Sequence, residues 1–368
     1  MNRRKFIKNI NGLGMGVILL PDPLLFSYPE QAEQYRLSRL KVSRELIKNV
    51  LVGLRPFRRS GFMVRADRLG EKLLIHNYGH GGCGVSLSWG TSKLAMGIAM
   101  ESPHRDCAVI GCGAVGLATA RLLQQAGWKV NIYAKDLPPN TTSDIAGAEW
   151  GVGSIAHEKS VHFRAQLESS KKFSFEYFKN MNGLKYGIKW RDYYSPAKNS
   201  ASTSDKWDQY LMDFEVLKGR QSPFKTKAAY KYREMIIEPA IYLPALIQDF
   251  RNAGGKISIR DFKNKNEFQS LSEPVIMNCT GIGAKKLFDD KELTPIKGQL
   301  IILDNQGGID YCMSGGRHFT YMFRRVNNIA LGGTLELGNW DLSPNESAID
   351  SMIRHHRSLG RHLKKKRN

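Results

Sequence analysis

The chain has 368 residues, 42% hydrophobic and 24% charged, an ordinary globular balance that excludes a disordered tail or a collagen-like fibre. Its 55 Lys and Arg against 34 acidic residues give a net charge of +21, but the basic residues are spread along the chain and cluster only at NRRK and KKKR. No Cys/His finger or aromatic RNP-like strand accompanies them, so the excess reads as solvated surface and argues against a nucleic-acid partner.

The first residues stand apart. NRRKFIK sets an arginine pair ahead of Phe6 and Ile7, and GLGMGVILLP follows as an apolar run of about ten residues, too short to span a bilayer as an ordinary helix. The order resembles a twin-arginine export signal, which implies export of the folded protein to the periplasm or beyond, with the export machinery as a partner. Read instead as a basic start to the domain, the same residues leave the protein in the cytoplasm. Residues 22–45, polar and Pro-containing, read as a linker.

From residue 46 the pattern tightens. LIKNVLVGLRP and GFMVRADRLGEKLLIHN read as successive strands with Gly and Pro at the breaks. Next comes the glycine cluster HNYGHGGCG at 76–84, then VSLSWGTSKLAMGIAM, whose small and apolar residues suit a strand edge running into a packed helix. DCAVIGCGAVGLATARLLQQAGWKVNIYAKD predicts a strand, a glycine turn, a helix and a second strand, which is a βαβ unit.

In that unit Gly111, Gly113 and Gly116 stand in G-x-G-x-x-G spacing, with Ala114 and Val115 opening the helix. The first glycine allows the tight turn, the second lets backbone approach a pyrophosphate, and the third lets helix pack on strand. An acidic residue is expected at the end of the second strand to meet a ribose; Asp136, one position late after Lys135, is the candidate. FAD and NAD share this fingerprint. The loop DLPPNTTSDIAGAEWG, 136–151, is rich in hydroxyls and small residues, as a wrap around pyrophosphate and a flat ring requires.

Residues 151–234 are aromatic and Lys-rich without clean periodicity and read as part of a mixed sheet. EPAIYLPALIQDFRNAGGKISI then reads as helix and strand, PVIMNCTGIGAKKL as a buried strand opening into a glycine turn, and GQLIIL, FTYMFRR and IALGGTLELG as strands. Residues 344–363 read as an amphipathic basic helix. Five cysteines, odd in number and without a CxxC pair, read as small core residues. His76 and His80 have i, i+4 spacing, but the glycines around them rule out a helix, so packing or hydrogen bonding is expected and no metal site.

Taken together, IGCGAVG, NTTSDIAGAEW, YLPALIQDF, NCTGIGA, PIKGQL, LGGTLELGNW, VGLRPFR and HNYGHGGCGVSLSWG resemble the D-amino-acid oxidase family of flavoenzymes over most of residues 50–342. The resemblance implies an α/β fold with a Rossmann-like FAD-binding domain on a parallel sheet and a mixed-sheet substrate domain. The expected division is signal and linker at 1–35, an FAD-binding domain at 73–150 plus 235–290, a substrate domain at 46–72 plus 151–234 plus 291–343, and a basic helix and tail at 344–368. VGLRP and NYGHGG come last in eukaryotic members but precede the βαβ unit here, so the chain reads as circularly permuted. That order predicts LLIHNY beside CAVIG in a parallel sheet.

The implied reaction is FAD-dependent oxidation of a D-amino acid by molecular oxygen to a 2-oxo acid, ammonia and hydrogen peroxide, at a site with no ionised side chain near the hydride step. Arg55 in GLRP matches the carboxylate-binding arginine, Tyr321 a tyrosine supporting the same carboxylate, and Gly82 the carbonyl that accepts from the substrate amine. Gly81, Gly84, Val85 and Ser86 match flavin contacts, and Thr141, Thr142 and Ser143 match pyrophosphate contacts. The family's second active-site tyrosine falls on Arg317, and a cation at Arg317 or His318 would favour acidic substrates such as D-aspartate. Rival readings are a glycine or secondary-amine oxidase, a dehydrogenase that passes electrons to a carrier, and a flavin-binding protein without turnover.

Overall fold

The structure is a computed structural model that describes residues 35–147, 149–151, 160–181, 183–197, 210–315 and 320–364. The twin-arginine-like segment lies outside the described residues, as do Arg317 and His318.

The chain opens with three strands, β1 (Ile47–Arg58), β2 (Met63–Leu69) and β3 (Lys72–Tyr78), then helix α1 (Gly84–Met100). The βαβ unit follows as β4 (Asp106–Ile110), α2 (Ala114–Gln125) and β5 (Lys129–Ala134). Helix α3 (Val161–Asn180) leads to β6 (Ile188–Ala197), β7 (Met212–Lys218), β8 (Ala228–Ile237), α4 (Pro239–Asn252), β9 (Lys256–Ile259), β10 (Val275–Asn278) and the short α5 (Ala284–Leu287). The last stretch holds β11 (Leu293–Asp304), β12 (Tyr311–Gly315), β13 (Thr320–Arg324), β14 (Asn328–Gly332), β15 (Glu336–Leu337) and α6 (Glu346–Arg361).

Among the described residues these strands form two sheets. One has six strands in the order β2-β3-β10-β4-β5-β9, parallel except for β2. Its strands β4 and β10 are apolar and buried on both faces, as the helices of a parallel sheet demand. The other is a nine-stranded mixed sheet, β1-β11-β14-β13-β12-β6-β8-β7, with β15 on β11. The expected Rossmann-like sheet and mixed sheet are both present. Helix α6, capped by the Asn345 side chain at Ala348 N–H, lays Met352, Ile353 and Leu359 against the mixed sheet.

Four expectations need correction. LLIHNY and CAVIG share one parallel sheet, but β10 lies between them, pairing Met277 with Ile75 on one side and Val109 on the other. Residues 46–72 do not stay in one domain: β1 joins the mixed sheet, while β2 turns back on β3 at the edge of the parallel sheet. Residues 84–100 are helical throughout, with no strand edge. The helix is buried on nearly every side, so no amphipathic stripe betrays it. The segment placed in a mixed sheet contains the long helix α3, whose buried face mixes Phe163, Phe175 and Phe178 with Ser170 and Ser174 and so blurs the apolar period.

α3 packs on α1 at very close range. Gly90 N–H donates to Ser174 Oγ at 2.8 Å, and a Cβ on Gly90 would stand 2.0 Å from Ser170 O. Gly90→Ala is expected to destabilise the protein by about 1–3 kcal/mol, the usual cost of overpacking. A thermal melt checks this, and an unchanged Tm would mean that the two helices separate freely.

The two ends of the described chain meet. Arg39 Nη2 donates to Leu363 O at 2.8 Å, and Arg357 Nε to Val42 O at 2.6 Å.

Candidate active site

The glycine turn after β4 is closed by backbone contact. Gly111 adopts φ +115°, and a Cβ there would lie 2.5 Å from Cys279 O; a Cβ on Gly116 would lie 2.1 Å from Gly111 O. Two strand ends and the first turn of α2 are thereby drawn together, leaving first-turn N–H groups of α2 facing a cavity of about 950 Å³. Gly111, Gly113, Ala114 and Val115 line it, with Asp136 exposed at its rim, whereas Gly116 lies beneath as packing.

The hydroxyl loop is more occupied than its sequence suggests. Ser143 Oγ accepts from Ala114 N–H at 3.0 Å, pinning the loop to the start of α2. Thr141 donates from N–H and Oγ to the Asp144 carboxylate at 2.9 and 2.7 Å, a reciprocal helix cap. Thr142 is exposed beside them, and all three line the cavity.

The second glycine turn faces the first across the same space. Gly81, Gly82, Gly84, Val85 and Ser86 all line the cavity. Gly81 N–H donates to Pro56 O at 2.8 Å, and Phe57 bridges to His80, so this loop is fastened to the strand that carries Arg55. Ser86 Oγ donates to Glu149 O at 3.3 Å and accepts from Gly151 N–H at 3.2 Å, which holds the far end of the hydroxyl loop in place.

Arg55, Tyr321 and Gly82 come together at this end. The Arg55 guanidinium donates to Thr334 O at 3.2 Å and to the Tyr321 hydroxyl. No acidic side chain pairs with it among the described residues. Two glycines make the room. A Cβ on Gly298, in PIKGQL, would stand 2.0 Å from Arg55 Nη1, and a Cβ on Gly332, in ALGG, would stand 1.9 Å from Tyr321 Cζ. Gly332 is the direct cross-strand partner of Tyr321 on β14, so the tyrosine ring lies over a site where any side chain would displace it. Burial raises the Tyr321 hydroxyl pKa, which keeps it protonated.

Sequence reasoning missed the rest of the pocket. Tyr193 and Tyr232 stack at 4.8 Å between ring centres and line the cavity with Leu300 and Phe323. Glu149 lines it too, and burial pushes its carboxyl up to about 7. Arg325, buried behind, donates to Ala146 O at 2.5 Å and Gly147 O at 3.0 Å and fixes the loop that bears Glu149. Tyr193 and Tyr232 sat in a stretch without periodicity. Glu149 carried one signal, a lone acid in a run of small residues.

The histidines serve packing. His80 stacks on Phe62, contacts Thr91 Oγ1 at 2.9 Å, and is pushed down to about 3 by burial, so it stays neutral. His76 accepts at Nδ1 from Asn278 Nδ2 at 2.9 Å, which leaves Nε2–H to donate to Asp67 at 3.1 Å. All five cysteines are buried and none is in a disulfide.

A Rossmann-like turn joined through a second glycine loop to a guanidinium pocket defines a dinucleotide-dependent oxidoreductase. Comparison with known proteins makes this specific. A family model described as FAD dependent oxidoreductase matches residues 106–362. The D-amino-acid oxidase of Rubrobacter xylanophilus is 26% identical over 250 residues, covering 67% of this chain and 74% of that one. That of Dictyostelium discoideum is 26% identical over 257 residues, covering 68% and 72%. Human D-aspartate oxidase is 24% identical over 262 residues, covering 64% and 70%. Among solved structures, glycine oxidase from Bacillus cereus aligns with a TM-score of 0.51 and 18% identity over 72% of this chain and 81% of that one, a likeness of fold.

The chain belongs to the FAD dependent oxidoreductase family. Its cofactor is FAD, and the glycine cradle fits it: Gly111 and Gly113 line the cavity at the start of α2 while Gly116 packs beneath them.

Proposed function

We propose that this protein oxidises D-amino acids to 2-oxo acids, with release of ammonia and hydrogen peroxide. The carrying observation is Arg55, a guanidinium without an acidic partner among the described residues, aimed into an aromatic pocket that adjoins the FAD cradle. A planar fork of donors beside a tyrosine hydroxyl suits an α-carboxylate. The names of the relatives at 26% identity support an amino acid of D configuration.

Bound FAD supplies the acceptor for the hydride of the substrate α-carbon and returns the electron pair to molecular oxygen. The chain does the remainder. Arg55 and Tyr321 hold the carboxylate, the Gly82 carbonyl accepts from the amine, and Tyr193, Tyr232, Leu300 and Phe323 shield the α-carbon from solvent. The ammonium proton passes to solvent, the nitrogen lone pair forms C=N as the hydride departs, water then adds to the imine carbon, and ammonia leaves the 2-oxo acid.

The test is anaerobic addition of D- and L-amino acids to purified protein. Bleaching of the flavin band at about 450 nm by D-isomers alone is expected. Flavin left oxidised by every D-amino acid would remove this reading in favour of glycine or a secondary amine.

Two further parts of the proposal rest on the sequence. The arginine pair at 3–4 supports export of the folded protein. The segment with Arg55 and GHGG supports a circular permutation, since the family match begins at Asp106 and the two ends of the described chain touch at Arg39 and Leu363. A chain joined across that contact and opened at 102–104 is expected to fold and bind FAD; insolubility of the relinked chain would count against the permutation.

A further inference from the structure

Glu149 is out of place for a pocket whose reaction needs only a carboxylate fork and an amine acceptor. Its backbone is held firmly: its carbonyl accepts from Ser86 Oγ, it bridges Ile236 on β8, and the next residue donates from Trp150 N–H to Met235 O at 2.9 Å. The side chain therefore stays on the mixed-sheet side of the cavity, among Tyr193, Tyr232 and Tyr321.

Among the described residues no cation forms an ion pair with it. Arg325 donates to Ala146 O and Gly147 O, and Arg55 to Thr334 O and Tyr321. A second acid interacts with it, Glu234 on β8, 4% exposed, whose Oε1 accepts from Met235 N–H. Two carboxyl groups against stacked tyrosines, with no paired cation among the described residues, form an environment that a positive group would relieve. A pocket for neutral side chains gains nothing from that arrangement, and an acidic side chain would be repelled by it.

We propose that Glu149 is a specificity-determining residue that selects substrates with a cationic side chain, the D-arginine, D-lysine and D-ornithine class, by pairing with the distal ammonium or guanidinium while Arg55 holds the α-carboxylate. The inference rests on the D-amino acid reading above. Arg55 and Glu149 flank Tyr321, which feels the charge of both, so the pocket presents a cation for one end of the substrate and an anion for the other. A substrate with matching ends satisfies both.

The experiment compares kcat/KM for D-arginine, D-lysine, D-norleucine and D-glutamate in the wild type and in Glu149→Gln. The wild type is expected to prefer the cationic substrates over D-norleucine by about 10–100-fold, the worth of a charged hydrogen bond. Glu149→Gln removes that preference, lowering kcat/KM for D-arginine and D-lysine by about 10–100-fold relative to D-norleucine. The preference should also grow as pH rises through about 7, where Glu149 ionises, and stay flat in the variant. Tyr193, Tyr232, Tyr321 and Cys312 are all held protonated by burial, and Glu234, raised by burial and by Glu149, remains in the variant, so a profile that is flat there assigns the effect to Glu149.

Equal turnover of D-norleucine and D-arginine in the wild type would overturn the inference and leave the D-amino acid reading standing. A uniform loss over all substrates in Glu149→Gln would overturn it too, by assigning the carboxylate to the α-amine. Failure of every D-amino acid to reduce the flavin would remove the reading on which it rests.

Discussion

Arg55→Ala is expected to lower kcat/KM for the amino acid by about 10³-fold and Arg55→Lys by about 10²-fold, with flavin absorbance and Tm unchanged. The guanidinium contributes two parallel donors to a planar carboxylate, whereas an ammonium contributes one point charge on a flexible stem. Loss of the fork costs orientation as well as binding, so kcat falls along with a rise in KM. Gly298→Ala gives an independent check, because it keeps the guanidinium but sets a Cβ 2.0 Å from Nη1. The guanidinium is the free end of a long side chain and yields, so the variant folds while the fork swings off its carboxylate. Steady-state kinetics on both variants decide the matter, and Arg55→Ala at wild-type kcat/KM would take the carboxylate away from this residue.

Gly116→Ala is expected to yield protein with FAD content at least tenfold lower, an order-of-magnitude figure for a loss of about 1–3 kcal/mol in the packing of the cradle. Its Cβ would meet Gly111 O at 2.1 Å. That neighbour is backbone, in a turn that Gly111 N–H also ties to Tyr133 O at 2.8 Å, so it cannot step aside as a side chain can. The helix α2 must tilt away from β4, and its first-turn N–H groups leave the phosphate position. The ratio of flavin to protein absorbance after purification reads the effect. Retention of full FAD would show that α2 tilts without disturbing the phosphate site.

These two variants separate what each glycine does. Gly116 holds the cofactor cradle together from beneath, while Gly298 and Gly332 clear space for side chains that reach the substrate. In the sequence the last two are simply members of PIKGQL and ALGG; across β1–β11 and β13–β14 they become the vacancies into which Arg55 and Tyr321 fit.

The sequence by itself determined the βαβ unit, the glycine spacing, and the residue types at Arg55, Tyr321 and Gly82, because each is local: strand, turn and helix signals are written within a few residues of one another. Its family followed from the same short runs. Tertiary structure alone decided that β10 stands between β3 and β4, that α3 packs on α1, and that Tyr193, Tyr232 and Glu149 complete the pocket. Those features depend on strand order and on contacts between residues far apart in the chain, and a buried helix or a mixed sheet leaves little period in its own sequence to announce them. The raised pKa of Glu149 has the same origin: a glutamate in a loop has an ordinary carboxyl until the fold buries it in the pocket beside β8.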